Sequence, residues 1–150
     1  MCFGAEAPWR LLGVAETEFE ARVELNADLC VVDGVHFFIR GHIEIPVWGL
    51  DGPFAWSVWC SLSEASFQHV NDRWHAPDRG DDPPYFGWLC TRLPTHPDTL
   101  NLRAHVQSRQ VGRVPAVRLE PTDHPLAVEQ RDRIDMNRLA EIAHAVLGDL

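Results

Sequence analysis

Histidine, arginine and glutamate recur at alternate positions in HFFIRGHIE, with His36 and Arg40 before Gly41 and His42 and Glu44 after it. Successive side chains of an extended chain point to opposite faces, so these four project away from Phe37, Ile39, Ile43 and Ile45. A second alternating tract sets Arg103 and His105 opposite Ala104 and Val106. If the two outer faces join, with Arg118 and Glu120 beside them, they form a surface able to bind a carboxylate or phosphate bidentately. His36, Arg40, His42, Glu44, Arg103 and His105 are therefore the candidate ligand site. The solvated side of a half-buried antiparallel sheet requires the same alternation. Gly41 decides whether the set is continuous, because a bulge there would turn His42 and Glu44 away from His36 and Arg40.

His69, Asp72, His75, Asp78, Asp81 and Asp82 gather oxygen and imidazole ligands around one loop. Their spacing matches neither an HExxH helix nor an EF-hand, so no metal is expected and a solvated loop facing a partner is the simpler reading. His124, with Glu120 or Asp123 to orient it, has the makings of a general base, but capping and turn formation explain the same residues. No Gly-x-Ser-x-Gly elbow, P-loop or Gly-x-Gly-x-x-Gly occurs, and no cofactor is expected. All 13 basic residues are arginine, which removes Schiff-base chemistry and a Walker lysine.

The formal net charge of −9 disfavours a nucleic-acid partner, which would need a basic stripe, and suits docking onto a basic protein. The acidic loop supplies Asp78, Asp81 and Asp82 for that role. Of the six tryptophans, Trp48 and Trp74 lie at element ends and are candidate interface anchors, whereas Trp56 and Trp88 belong by context in the core.

The elements that must carry these residues are mostly strands. Leu29 to Val32 and Val35 to Ile39 flank Asp33-Gly34, which predicts a hairpin with a two-residue type I′ turn. His42 to Val47 alternates, with Pro46 at an edge or strand end. Phe54 to Leu62 puts Phe54, Trp56, Val58, Cys60 and Leu62 on one face. Thr17 to Glu20 has capping-box spacing for one short helical turn, and Ser63 caps a helix from Glu64 to Trp74. His75 to Pro84 is a long loop of functional or mobile type. Tyr85 to Cys90, Thr99 to Arg109 and Val114 to Leu119 are further strands. Pro125 starts one helix, and Asp135 caps a last one carrying Met136, Leu139, Ile142, Ala143, Val146 and Leu150 at helical spacing.

At 150 residues, 45% hydrophobic and 23% charged, the chain is expected to fold as one domain spanning residues 1–150. No apolar run is long enough for a membrane span, and the start lacks the features of a signal peptide, so a cytoplasmic location is expected. Cys2, Cys30, Cys60 and Cys90 are scattered singly, the last three in apolar strand contexts where a thiol behaves as a small buried hydrophobe.

The strings FFIRGHIEIPV, FAWSVWCSLS, YFGWL and EPTDHPLAVEQ, in that order, resemble the bacterial family known as domain of unknown function 2199. The resemblance implies a bacterial cytoplasmic protein and brings no reaction or site residue. It also implies an opening Cys-x-x-Cys-Gly segment followed by His, resembling half a zinc site. This sequence departs from that pattern, having only Cys2 near its start, and no zinc is expected.

The expected architecture is α+β: an antiparallel sheet meander of roughly five to seven strands, an inserted helix after Leu62, and carboxyl-terminal helices packed on one face. The expected function is that of a non-enzymatic binding protein docking a protein partner, an immunity-type protein being one version. The alternative is a small enzyme or ligand-binding domain using the Arg/His/Glu sheet face.

Overall fold

The computed structural model describes residues 2–3 and 7–148. Its centre is the pair of long strands β4 (His36–Ile45) and β5 (Phe54–Leu62), antiparallel and in unbroken register from Phe37↔Leu62 to Ile45↔Phe54. On the outer edge of β4 lies β3 (Leu29–Val32), followed by β2 (Val23–Leu25). Beyond β5 come β6 (Tyr85–Leu89), β7 (Arg103–Gln107) and β8 (Ala116–Leu119), each antiparallel to the one before. β8 then returns to β4 and pairs parallel with it at His42↔Ala116, which closes a five-stranded barrel. A short β1 (Cys2–Phe3) lies parallel to β5. The chain is thus α+β with successive strands antiparallel, and a parallel seam, which the expected meander did not include, closes five of them into a barrel.

The closure depends on Gly41. A Cβ built there would lie 2.5 Å from Val117 Cγ2 and 3.1 Å from the Pro115 carbonyl oxygen. Only a residue without a side chain lets β8 come so close, and His42 N then donates to Pro115 O at 2.9 Å. Gly41 does not break the strand, nor does it bulge, so His36, Arg40, His42 and Glu44 all stay on one face of β4.

Odd-numbered β4 residues and even-numbered β5 residues fill the barrel, with Ile39, Ile43, Ile45, Val58 and Cys60 fully buried. Phe67 and Val70 of α3 (Glu64–Asp72), Leu126 of α4 (Pro125–Asp132), and Leu139 and Ile142 of α5 (Met136–Leu147) join the same cluster. The opposite face of β3, β4 and β5 is not bare. Trp9 of α1 (Pro8–Leu11) packs there on Cys30, Val32, Phe38 and Trp59, with Phe19 of α2 (Phe19–Arg22) edge-on to it. Helices therefore cover two faces, because the stretch before Leu12 starts a helical turn with Pro8 at its first position. Cys30 and Cys60 are buried as expected, and burial pushes the Cys30 thiol up to about 11. Cys90 is only partly buried.

Caps fall where the side chains allow them. Ser63 Oγ accepts from Ser66 N at 3.1 Å and Asp135 Oδ1 from Arg138 N at 2.7 Å. The hairpin differs by one residue from expectation. Asp33 and Gly34 do take positive φ, 55° and 67°, but Val32 pairs with His36, so Val35 becomes a third loop residue. Thr99 to Arg109 is strand only at Arg103–Gln107, since Leu89 N and Asn101 N turn the segment before it back on β6 through Leu102 O and Leu89 O. Trp88 is 40% exposed rather than core, because Tyr85, Gly87 and Leu89 take the inward positions of β6. Leu150 lies outside the described residues, as does the side chain of Cys2.

One polar knot ties the carboxyl-terminal helices to the barrel. The buried His96 donates from Nε2 to Glu129, whose other oxygen accepts from Arg138 Nε at 2.8 Å, while Arg138 Nη2 reaches Thr95 O. Burial pushes the Glu129 carboxyl up, but the bonds from His96 and Arg138 outweigh it and hold the group below its usual range.

Gly41→Ala should destabilise the fold by about 2 kcal/mol through overpacking at the seam, measured by urea unfolding; an unchanged midpoint would show that the seam has room to give. Because the folded Glu129 carboxyl is depressed, its stabilisation is full above the unfolded value near 4.3 and is lost as pH falls towards the folded one. Glu129→Gln should therefore lower stability at pH 7 and flatten its decline below about pH 4.5.

Candidate functional site

The seam that closes the barrel is one bridge long, and past it β4 and β8 diverge. α4 enters the gap. Gln130 satisfies the freed edge of β8 with its side-chain amide, accepting from Leu119 N at 2.9 Å and donating to Val117 O at 2.8 Å. The chain after α4 then pairs with the extension of β4, Ile134 N donating to Pro46 O and Trp48 N to Ile134 O. Between these elements lies an open groove of about 1060 Å³, close to the upper end of the size range of small-molecule sites.

The groove is basic in an acidic protein. Arg109, Arg113, Arg118, Arg131 and Arg133 line it against Glu44, Asp51 and Asp81. Arg109 is paired with Glu44 and donates to Val114 O, and Arg131 is paired with Asp132. Among the described residues the guanidinium groups of Arg113 and Arg118 make no ion pair or hydrogen bond. His42 also lines the groove; burial, then the charges of Arg40 and Arg109, push its pKa below the ordinary value, so its ring is neutral at pH 7.

Behind the groove sits Arg79, only 4% exposed. It belongs to a 3-10 turn, Arg79–Asp81, inside the loop expected to be mobile or functional. Its guanidinium donates to four carbonyls, Trp74 O, Arg109 O, Gln110 O and Arg113 O, at 2.7–3.1 Å, and lies 4.9 Å over the Trp74 ring. Those carbonyls take the place of a carboxylate partner. The β7–β8 loop is thereby wrapped around a buried positive charge, with Arg109 and Arg113 set along the groove.

The candidate ligand residues divide into three places. His42 and Glu44 line the groove. Arg40 is used structurally, donating to Ala27 O and Ser57 Oγ and pairing with Asp28, and His36 stands exposed beside the hairpin loop. Arg103 and His105 both bond Glu120, at 2.8 and 3.0 Å, and Arg103 lies over Phe86 and Trp88 on the outer face of β6 and β7. Arg103 foremost, and His105 with it, hold the Glu120 carboxyl below its usual range.

The candidate partner residues also separate. Trp48 is 61% exposed beside groove-lining Val47 and under groove-lining Arg133, Trp74 is partly buried beneath Arg79, and Asp81 lines the groove. Asp78 and Asp82 both pair with Arg73, Asp78 remaining exposed, and the Arg73 guanidinium keeps Asp82 below the usual carboxylate range. Among the described residues no group of three or more His, Cys, Asp or Glu is placed to hold a metal. Among the described residues no helix is long and apolar enough to cross a membrane. His124 is a cap, its Nδ1 accepting from Leu126 N while Nε2 bonds Asp98 O.

Arg118 lies on β8 and is the one groove arginine that the alternating strands point to, whereas Arg79 and Arg113 sit in loops, which alternation does not reach. The one signal was the density of arginine in Arg109 to Arg118 and Arg131 to Arg133. Arg79→Met should cost about 2–4 kcal/mol by leaving buried carbonyls unpaired, and hydrogen exchange should show faster amides across residues 109–113; protection at the wild-type level would contradict the wrapped-loop account.

No curated protein and no solved structure matches the chain. The family described as "Uncharacterized protein conserved in bacteria (DUF2199)" matches residues 1–134, a span holding the whole barrel and α4 but not α5. The chain belongs to that bacterial family.

Proposed function

We propose that the protein is a binding protein for a small anionic ligand, held in the groove beside the barrel seam. The observation that carries this reading is the presence of two uncommitted guanidinium groups, Arg113 and Arg118, in a concavity of a chain whose net charge is −9. Unpaired cations packed near other cations raise the local potential, and a ligand phosphate or carboxylate relieves it. Arg79 adds a buried charge behind the same wall, and neutral His42 adds no group that opposes the arginines. The ligand class follows from planar forks that match carboxylate and phosphate oxygens in pairs.

Docking of a protein partner is a second reading, supported by the outward Phe86, Trp88 and Arg103. Phe86 and Trp88 stack edge-on at 5.1 Å and Arg103 covers both. Tryptophan and arginine on a rigid strand surface make low-entropy interface anchors.

Titration with inorganic pyrophosphate at low salt tests the first reading. Calorimetry should give saturable binding that weakens roughly tenfold for each of Arg113→Ala and Arg118→Ala, as loss of a charged hydrogen bond requires. Affinity unchanged in the double variant, with its melting temperature preserved, would remove the groove as the site.

A further inference from the structure

We propose that the groove's ligand is a mononucleotide, its phosphate taken by Arg113 and Arg118 and its base stacked on Trp48. This deepens the anion-binding reading and rests on it.

Trp48 follows Val47, which lines the groove, and precedes Gly49, whose φ of 89° turns the chain back so that Leu50 lines the groove as well. The backbone that carries the ring is held by Ile134 O next to these groove residues. Its exposure of 61% is the largest of any tryptophan among the described residues. One face is covered by the Arg133 guanidinium, 4.5 Å from the ring centre, and the remaining exposure leaves an aromatic surface open beside a cationic cleft. A planar heterocycle carrying an anion fits both halves; a simple anion leaves the ring unused.

Arg133 is held in place at a conformational cost. It has φ 80° and ψ 168°, a region occupied almost only by glycine, so the backbone is strained to keep a side chain there. Glycine would serve the turn after α4 without strain. What arginine adds is a guanidinium that covers one face of Trp48 and belongs to a residue lining the groove. Polynucleotide is disfavoured as the source of the nucleotide, because the net charge of −9 repels an extended phosphate backbone outside the groove.

The test compares AMP, ribose 5-phosphate and 5′-phosphorylated hexaadenylate by calorimetry on wild type, Trp48→Ala and Arg133→Gly. Wild type should prefer AMP to ribose 5-phosphate by about tenfold or more, the usual size of base–aromatic stacking. That ratio should collapse towards unity in Trp48→Ala and fall in Arg133→Gly, whose melting temperature should not drop, since glycine relieves the strain. Equal affinity for AMP and ribose 5-phosphate in wild type would overturn the stacking proposal while leaving anion binding intact. Tighter binding of hexaadenylate than of AMP would overturn the mononucleotide assignment, and binding of no phosphate compound, pyrophosphate included, would overturn both readings.

Discussion

The contact between Gly41 and the segment Pro115–Val117 is the constraint on which the rest of the structure depends. Where β8 crosses β4 there is no space for even a methyl group, and the two backbones are joined by a hydrogen bond across that point. Without the crossing, β6, β7 and β8 would be a sheet extending from β5 with one face bare, and the inward side chains of β4 would lack a covering wall. With it, one closed interior buries the odd residues of β4, the even residues of β5 and the apolar faces of three helices. Closure on itself is how a small sheet removes its exposed edges.

The groove is a by-product of that closure. A parallel seam of one bridge cannot occupy the whole edge of β8, so its next donor and acceptor need other partners. Gln130 supplies both from a helix, which holds α4 off the sheet and opens the space that the arginines line. Arg79 solves the neighbouring problem, a loop whose carbonyls turn inward, by giving them a single planar donor. The positive charge it buries then favours anions in the groove. Acidic groups elsewhere pair with their own arginines, as Asp33 does with Arg22 and Asp82 with Arg73, so a chain of overall negative charge still has a local basic cleft.

Local chemistry made much of the fold legible. Alternation identified β4 and β5 and their inward faces, the Asp-Gly pair marked its hairpin, and Ser63 and Asp135 marked their helices, because each of these depends on neighbours within a few residues. Closure was not legible: Gly41 reads as a place for a bulge until Pro115 is known to lie against it. The loop at Val35 gained a residue because pairing along β3 and β4 sets the register, and turn propensity only permits it. Trp88 reads as core by its apolar neighbours and is turned outward by the phase of β6. Of the candidate ligand residues only His42 and Glu44 reach the groove, since a barrel curves its outer face and carries Arg103 and His105 round to another side.

The most direct test of a basic groove built at the seam is a nitrogen-edited NMR titration with pyrophosphate that follows backbone amides and arginine side-chain Nε–H signals together. The account predicts saturable shifts concentrated in residues 109–118, the side chains of Arg113 and Arg118, and Gln130, with the Phe86 and Trp88 face unmoved. Shifts centred on Arg103 and Trp88, or spread evenly over all arginines without saturation, would contradict it.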